Sequence, residues 1–482
     1  MMRLRFLAAT AICAALAGCT VGPRDPRTAL PMPPARPSET ITPASGPAQT
    51  VTAGAAALPD WWTSFGSAKL DALVAAALAH NNDLATAEAS LRQAEELAKA
   101  AGSAQGPQID ANYQAQRARI SSVLATPLQD ANNYLYTLHT AQVTVAYPLD
   151  VFGGGRSKVR SARAAAEVAA NRLAAARTTM VANLVLAVVQ HAALAQEVGA
   201  TQSAIASNRE LVALLRRRQA LGDIGEADVS AQETALATVE ATLPPLQRQL
   251  RHQEGLVTQL LGQAPGGAAP DLPELSELHL PADIPLALPS QLVVNRPDVR
   301  AAEAQVRGAA ADVRSAVAAR LPSFQLTGNA GGSALHFLDM FASGNPFFAV
   351  IGSVTQPIFH SGQLRHQQHA AEAALDAAQS QYRASVIQAF LDVDDALAGL
   401  RSDAAALDAA TRADDAARRT LMMTRRQVEL GALGTLQLLN ASSAASQASV
   451  QRIQAEAARF TDTVALFQAC GVNPAASAGS SR

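Results

Sequence analysis

A chain of 482 residues with a formal net charge of −2, 49% hydrophobic yet only 4% aromatic and 16% charged, presents no basic face and is excluded as a nucleic-acid binder. Its alanine-rich apolar residues suit closely spaced helices better than one bulky core. With three cysteines, one of them in a removable leader, it is not built on internal disulfides.

Met1-Met2-Arg3-Leu4-Arg5 supplies positive charge, Phe6 to Ala17 is an apolar run too short for a mature spanning helix, and Leu16-Ala17-Gly18-Cys19 follows. A signal peptide over 1–18 is expected. The last four residues resemble the bacterial lipobox, which implies that Cys19 is acylated and becomes the first mature residue. Without 1–18 the balance is 36 basic to 40 acidic residues, or −4. No later stretch of about 18 uncharged apolar residues is evident, so no transmembrane helix is expected and any membrane crossing falls to strands. Residues 19–58, rich in Pro, Thr, Ala and Ser, read as an extended tether without a core.

Order is expected from Trp61-Trp62, after which Leu70, Leu73, Val74, Ala77 and Leu78 fall at helical spacing. A first repeat over 59–262 then carries strands at about 108–118 and 138–147: Ile109, Ala111, Tyr113 and Ala115 alternate with Asp110, Asn112, Gln114 and Gln116. A proline-free run from Leu149 to Leu243 predicts a helix of roughly 100 Å, ended by Leu221-Gly222-x-x-Gly225 and followed by a returning helix. Pro244-Pro245 predicts a kink or break in that return. Residues 263–290 read as a loop-like joint. A second repeat over 291–472 carries strands at about 323–331 and 347–356, a further proline-free helix, the tip Leu430-Gly431-x-x-Gly434 and another return; 473–482 read as a flexible tail.

The repeats are visible in the residues. Asp83 to Glu88 and Pro107 recur 215 positions on at Asp298 to Glu303 and Pro322, and the tip motifs recur 209 positions apart. A unit this long is a duplicated domain, not a solenoid repeat. Two hairpins give four strands, too few for a membrane barrel, and open edges cannot face lipid, so identical copies must share one barrel. Eight or twelve strands would both serve on this ground alone.

Trp61-Trp62-x-x-Phe65-Gly66, Asn295-Arg296-Pro297-Asp298-Val299-Arg300, Leu321-Pro322-Ser323-Phe324 and the Pro-x4-Gly motifs at Pro148 and Pro357 are similar to the lipoprotein branch of the outer-membrane efflux factors, the TolC-like family associated with resistance-nodulation-division pumps. The resemblance implies a mainly α chain, with a trimeric twelve-stranded β-barrel in the outer membrane of a Gram-negative bacterium and a long α-barrel in the periplasm. It also implies a homotrimer working with a periplasmic adaptor and an inner-membrane pump, usually proton-driven. On that footing Arg218, Gly222, Gly225, Arg426, Gly431 and Gly434 resemble the periplasmic tip that meets the adaptor. Leu436 is the candidate apolar closing ring and Asn440 a polar one, since three side chains at a narrow ring can block passage. Relatives often carry an acid where Asn440 stands.

His360, His366 and His369 lack a completing metal-ligand set, and Gly153-Gly154-Gly155 lacks the lysine of a phosphate loop. No metal, cofactor or catalysis is expected. The expected function is a passive trimeric duct of a tripartite efflux system, exporting drugs or other toxic small molecules. Its rivals are the duct of a type I secretion system and a structural periplasmic coiled-coil lipoprotein.

Overall fold

A computed structural model of the chain describes residues 33–34, 36–55, 58–119, 135–264, 266–267 and 269–471; the expected signal peptide, Cys19 and the tail 473–482 lie outside them. Strands β1 (Glu39–Ile41) and β2 (Gln49–Ala53) precede a 3-10 turn at Trp61–Phe65 and helices α1 (Ala68–His80) and α2 (Asn82–Ser103). Strands β3 (Gln108–Arg119) and β4 (Leu135–Leu149) lead into α3 (Gly154–Ala220) and its return α4 (Glu226–Leu260). After β5 (Asp283–Leu286) and α5 (Pro289–Asn295), the series repeats as α6 (Pro297–Ala318), β6 (Ser323–Ala334), β7 (Pro346–Thr355), α7 (Gln363–Glu429) and α8 (Thr435–Ala469). The pairs α2 and α6, and β3 and β6, start 215 positions apart; α3 and α7, and α4 and α8, start 209 apart and have equal lengths of 67 and 35 residues.

The described chain falls into two compact units. One holds Leu91–Ala169 and Ala302–Tyr382 and contains an antiparallel sheet of order β3-β4-β6-β7. Its register lines up Tyr113, Ala141, Gly332 and Pro346 across the strands. Because side chains alternate, Ile109, Tyr113, Val143, Leu326, Phe348 and Val350 share one face, while Asp110, Asn112, Gln142, Thr144, Gln325 and Asn329 share the other. The apolar face is exposed: Ile109 is 68%, Phe348 83% and Val350 72% accessible. In the same unit α6 packs closely on α3. A Cβ at Gly308 would sit 3.4 Å from Ala164 Cβ, and one at Gly154 would sit 2.9 Å from Ala318 Cβ. Small residues here permit the backbone approach that larger ones would block.

The other unit, Leu30–Ser90, Ala170–Ala301 and Arg383–Arg482, has the aromatic core. Trp61 is fully buried and stacks on Phe467 at 5.2 Å, and Phe65 lies 6.0 Å from Phe460. These contacts account for the Trp-Trp-x-x-Phe motif as packing. Arg296 of the second quoted motif donates to Asp298 (3.0 and 2.7 Å), Asp392 (2.8 Å) and the Ala469 carbonyl (3.2 Å), tying the start of α6 to α7 and to the end of α8. Burial works against the Asp298 carboxylate, but the Arg296 hydrogen bonds and charge hold its pKa below the usual range.

Four expectations are corrected. The segment before Pro59 is not wholly a tether: β1 pairs with β2, and β2 runs parallel to β5, burying Ile41, Val51 and Ile284. The joint 263–290 therefore supplies a core strand. Of the expected kink or break at Pro244-Pro245, the break is not found: α4 continues through both residues, which lie on its exposed side. Finally, one described helix, α3, is long and apolar enough to cross a membrane by length and composition. Its apolar window is 67% buried within the protein, and Val181, Leu184, Val185 and Val188 of that helix belong to the aromatic core.

Candidate functional site: hairpin tips and a neighbouring cleft

Both long helices end in the same turn. Gly222 has φ +81° and Gly431 φ +73°. At each, the glycine N–H bonds three residues back (to Gln219 O, 2.9 Å; to Val428 O, 3.0 Å), and the next N–H bonds five back (to Arg218 O, 3.0 Å; to Gln427 O, 2.9 Å). This is the Schellman pattern. Nothing lies within 4 Å of where a Cβ would stand on either glycine, so backbone handedness and not space requires glycine there. Gly225 and Gly434 are extended, with φ −83° and −81°, and serve as N-caps of the two returns.

Hydrogen bonds, and a pair of Arg425 with Glu210 at 3.5 Å, join the repeats toward this end. Arg218 Nη1 donates to the Val428 carbonyl at 3.4 Å, and Thr435 Oγ1 donates to Asp228 Oδ1 at 2.8 Å. Arg426 instead faces outward, 71% exposed, with Glu429 at 3.5 Å. Leu436 in the first turn of α8 is 62% exposed, uncovered by its own chain. Asn440, one turn on, lines a cleft of about 920 Å³ with Glu197, Asn208, Thr238, Ser446 and Gln454. No lysine or arginine lines that cleft. Burial raises the pKa of Glu197, against which a hydrogen bond with Gln454 works. The candidate gate residues thus differ in setting: Asn440 lines a cleft of mixed polar and apolar side chains, and Leu436 is exposed.

Sequence reading missed a polar seam halfway along the second hairpin. Asp403 on α7 and Asp462 on α8 are hydrogen-bonded carboxyls; burial, the charge of Asp462 and that hydrogen bond push Asp403 up to about 6, and burial raises Asp462. Beside them Arg459 is fully buried and donates to Pro47 O (3.1 Å) and Gln49 Oε1 (2.7 Å). The segment 36–49 is further pinned along α7 by pairs of Arg36 with Asp394 and Glu39 with Arg401, and by Ala44 N–H donating to Asp408 at 2.8 Å. Asp394, Arg401 and Asp408 recur every seven residues, a signal legible in the sequence as a charged stripe beside the apolar heptads. Where those heptads lapse, buried Asp414 accepts from Arg418 (2.9 Å) and Arg452 (3.2 Å). Among the described residues no group of three or more His, Cys, Asp and Glu is placed to hold a metal ion; His366 and His369 lie with ring centroids 6.4 Å apart.

The chain is thus a duplicated unit with four antiparallel strands in one sheet and paired helices of 67 residues. The model of the family described as outer membrane efflux protein matches residues 73–263 and 288–472, and the chain belongs to that family. It is 28% identical over 442 residues to a pyoverdine export outer membrane protein, OpmQ, of Pseudomonas putida, covering 91% of this chain and 93% of the relative. It is 28% identical over 421 residues to the outer membrane protein OprJ of Pseudomonas aeruginosa, covering 86% of each. Among solved structures, the outer-membrane channel OprN superposes with a TM-score of 0.85 at 26% identity, over 95% of this chain and all of that one. The fold also matches VceC of Vibrio cholerae, TM-score 0.79 at 24% identity, over 86% of this chain and 99% of that one. The relatives are channel and transport proteins of the outer membrane.

Proposed function

We propose that three copies of this chain close one twelve-stranded barrel and act as a passive duct carrying small toxic molecules out of the periplasm. The observation that carries this reading is the four-stranded sheet: among the described residues β3 pairs only with β4 and β7 only with β6, so both edges are unpaired there. An open edge in hydrocarbon costs several kcal/mol per unpaired group, and pairing β3 of one copy with β7 of the next removes it. Twelve strands leave a lumen, whereas eight would be filled by side chains. The polar sheet face lines that lumen and the apolar face meets lipid.

The duct performs no catalysis and draws its energy from an inner-membrane pump reached through a periplasmic adaptor. The tip residues Arg218, Gly222, Gly225, Arg426, Gly431 and Gly434 face the adaptor, and Leu436 and Asn440 narrow the passage. The relatives named for pyoverdine export and for toluene and solvent efflux support a small-molecule cargo. Native mass spectrometry of the detergent-extracted protein tests the assembly: three chains are expected, and a monomer would overturn the reading. Co-purification tests the partners: a proton-driven pump is expected, and an ATP-binding exporter alone would reassign the duct to type I secretion.

A further inference from the structure

The connection between β6 and β7 carries an apolar surface that the duct itself does not require. Residues 335–345 fold back over the apolar side of the sheet instead of extending from its end. Phe337 sets its ring edge-on against Tyr113 (5.7 Å) and His139 (6.1 Å), whose own side chains are joined by a hydrogen bond of 2.8 Å. Tyr113 and His139 stand on the apolar face by the strand register. Gly332, on the same face, gives its side-chain space to the Met340 backbone, and Met340 is 3% exposed. The segment is therefore fixed to the apolar face of the sheet, over Tyr113, His139 and Gly332.

What it shows outward is a group of large apolar side chains beside one exposed polar pair, His336 and Asp339. Leu338 is 90%, Phe341 67%, Leu335 56% and Phe337 55% exposed. Part of its backbone is paired internally: Asp339 N–H donates to His336 O, Ala342 N–H to Asp339 O, Asn345 N–H to Ala342 O and Asn345 Nδ2 to Asp339 O at 2.6 Å, while Ser333 N–H donates to Asn345 O. The side chains of His336 and Asp339 approach each other to 3.6 Å. At a membrane boundary irregular backbone is tolerated because groups without an internal partner still reach water, and aromatic and leucine side chains favour that depth.

We propose that residues 335–345 form an interfacial wedge, with Leu338, Phe341 and Leu335 seated among the outer-leaflet acyl chains where the barrel leaves the membrane. Continuity with the apolar strand face identifies the occupant as lipid. The inference rests on the reading that this face is embedded in the membrane. The wedge lengthens the lipid-facing surface on one side of each chain and sets the barrel's depth.

The test is site-directed spin labelling of the full-length protein in phospholipid vesicles, with Leu338→Cys, Phe341→Cys, Val350→Cys and Gln114→Cys prepared singly. Cys470 is 1% exposed and does not compete for the label. At 350, on the apolar strand face, oxygen should relax the label several-fold more effectively than a water-soluble nickel chelate; at 114, on the polar face, the order should reverse. The wedge predicts that 338 and 341 behave like 350. Labels there that prefer the nickel chelate while 350 prefers oxygen would overturn the wedge and leave the barrel intact. Labels at 338 and 341 shielded from both relaxants would also overturn it, showing that a neighbouring copy covers the segment. A nickel preference at 350 itself would remove the membrane reading together with the wedge.

Discussion

Thr435 Oγ1 lies 2.8 Å from Asp228 Oδ1 and donates to it, so the first turn of one returning helix is bonded to the first turn of the other. If the tips part to open the duct, this bond holds them closed. Thr435→Val keeps shape and removes the donor; a bond of this kind is worth about 0.5–1.5 kcal/mol. The open fraction in bilayer recordings should rise roughly 2- to 10-fold. An unchanged open fraction would mean that the tips do not separate along this line.

Asp403 makes stability depend on pH in the direction opposite to a salt-bridged carboxylate. Its folded pKa, pushed up to about 6 by burial and by Asp462, lies above that of an unfolded aspartate, so the folded protein holds the proton more tightly. Stability from this source is full in acid and is lost as pH rises through about 6. Arg459 opposes the shift from α8, and Asp408 on α7 acts on Arg459 in turn. Thermal unfolding in detergent should give a higher midpoint at about pH 5 than at about pH 7.5. Asp403→Asn should flatten that difference by raising the midpoint at the higher pH.

Phe467→Ala removes the ring stacked on Trp61 and should cost about 3–5 kcal/mol. The chain's two tryptophans, Trp61 and Trp62, both lie in this core, so intrinsic fluorescence reports on it directly. A red-shifted emission and an earlier unfolding transition are expected; retention of the native spectrum and midpoint would show that the core repacks.

Two glycines predict opposite signs. Gly431→Ala forces a side chain into the left-handed region and should destabilise the tip by about 1–2 kcal/mol. Gly255→Ala, inside α4 with nothing within 4 Å of the added methyl, should stabilise by about 0.5–1 kcal/mol. Chemical unfolding of the two variants against the parent measures both.

Local and repeated features were legible in the sequence, and long-range ones were not. The proline-free runs, the Gly-x-x-Gly tips and the alternation around Tyr113 each reflect neighbouring residues acting through helix, turn or strand geometry. Strand β2 is five residues long and β5 four, and their partnership spans more than two hundred positions. Neither segment alone distinguishes a core strand from a proline-rich connector. Pro244-Pro245 does not end the helix because the cost of a missing N–H depends on whether the freed carbonyls are open to solvent, which only the helix's orientation decides. At the candidate site, the tip glycines could be located from spacing. The Asp403–Asp462 pair and the reach of Arg459 to Gln49 required knowing which faces of α7, α8 and the N-terminal segment meet.

The most direct test of the central claim, that strands too few to seal a pore in one chain are completed by identical copies, is single-channel recording of the purified protein in planar lipid bilayers. Discrete, uniform conductance steps from the trimeric fraction are expected, with none from dissociated chains. Lipid-inserted trimers that pass no ions would contradict it.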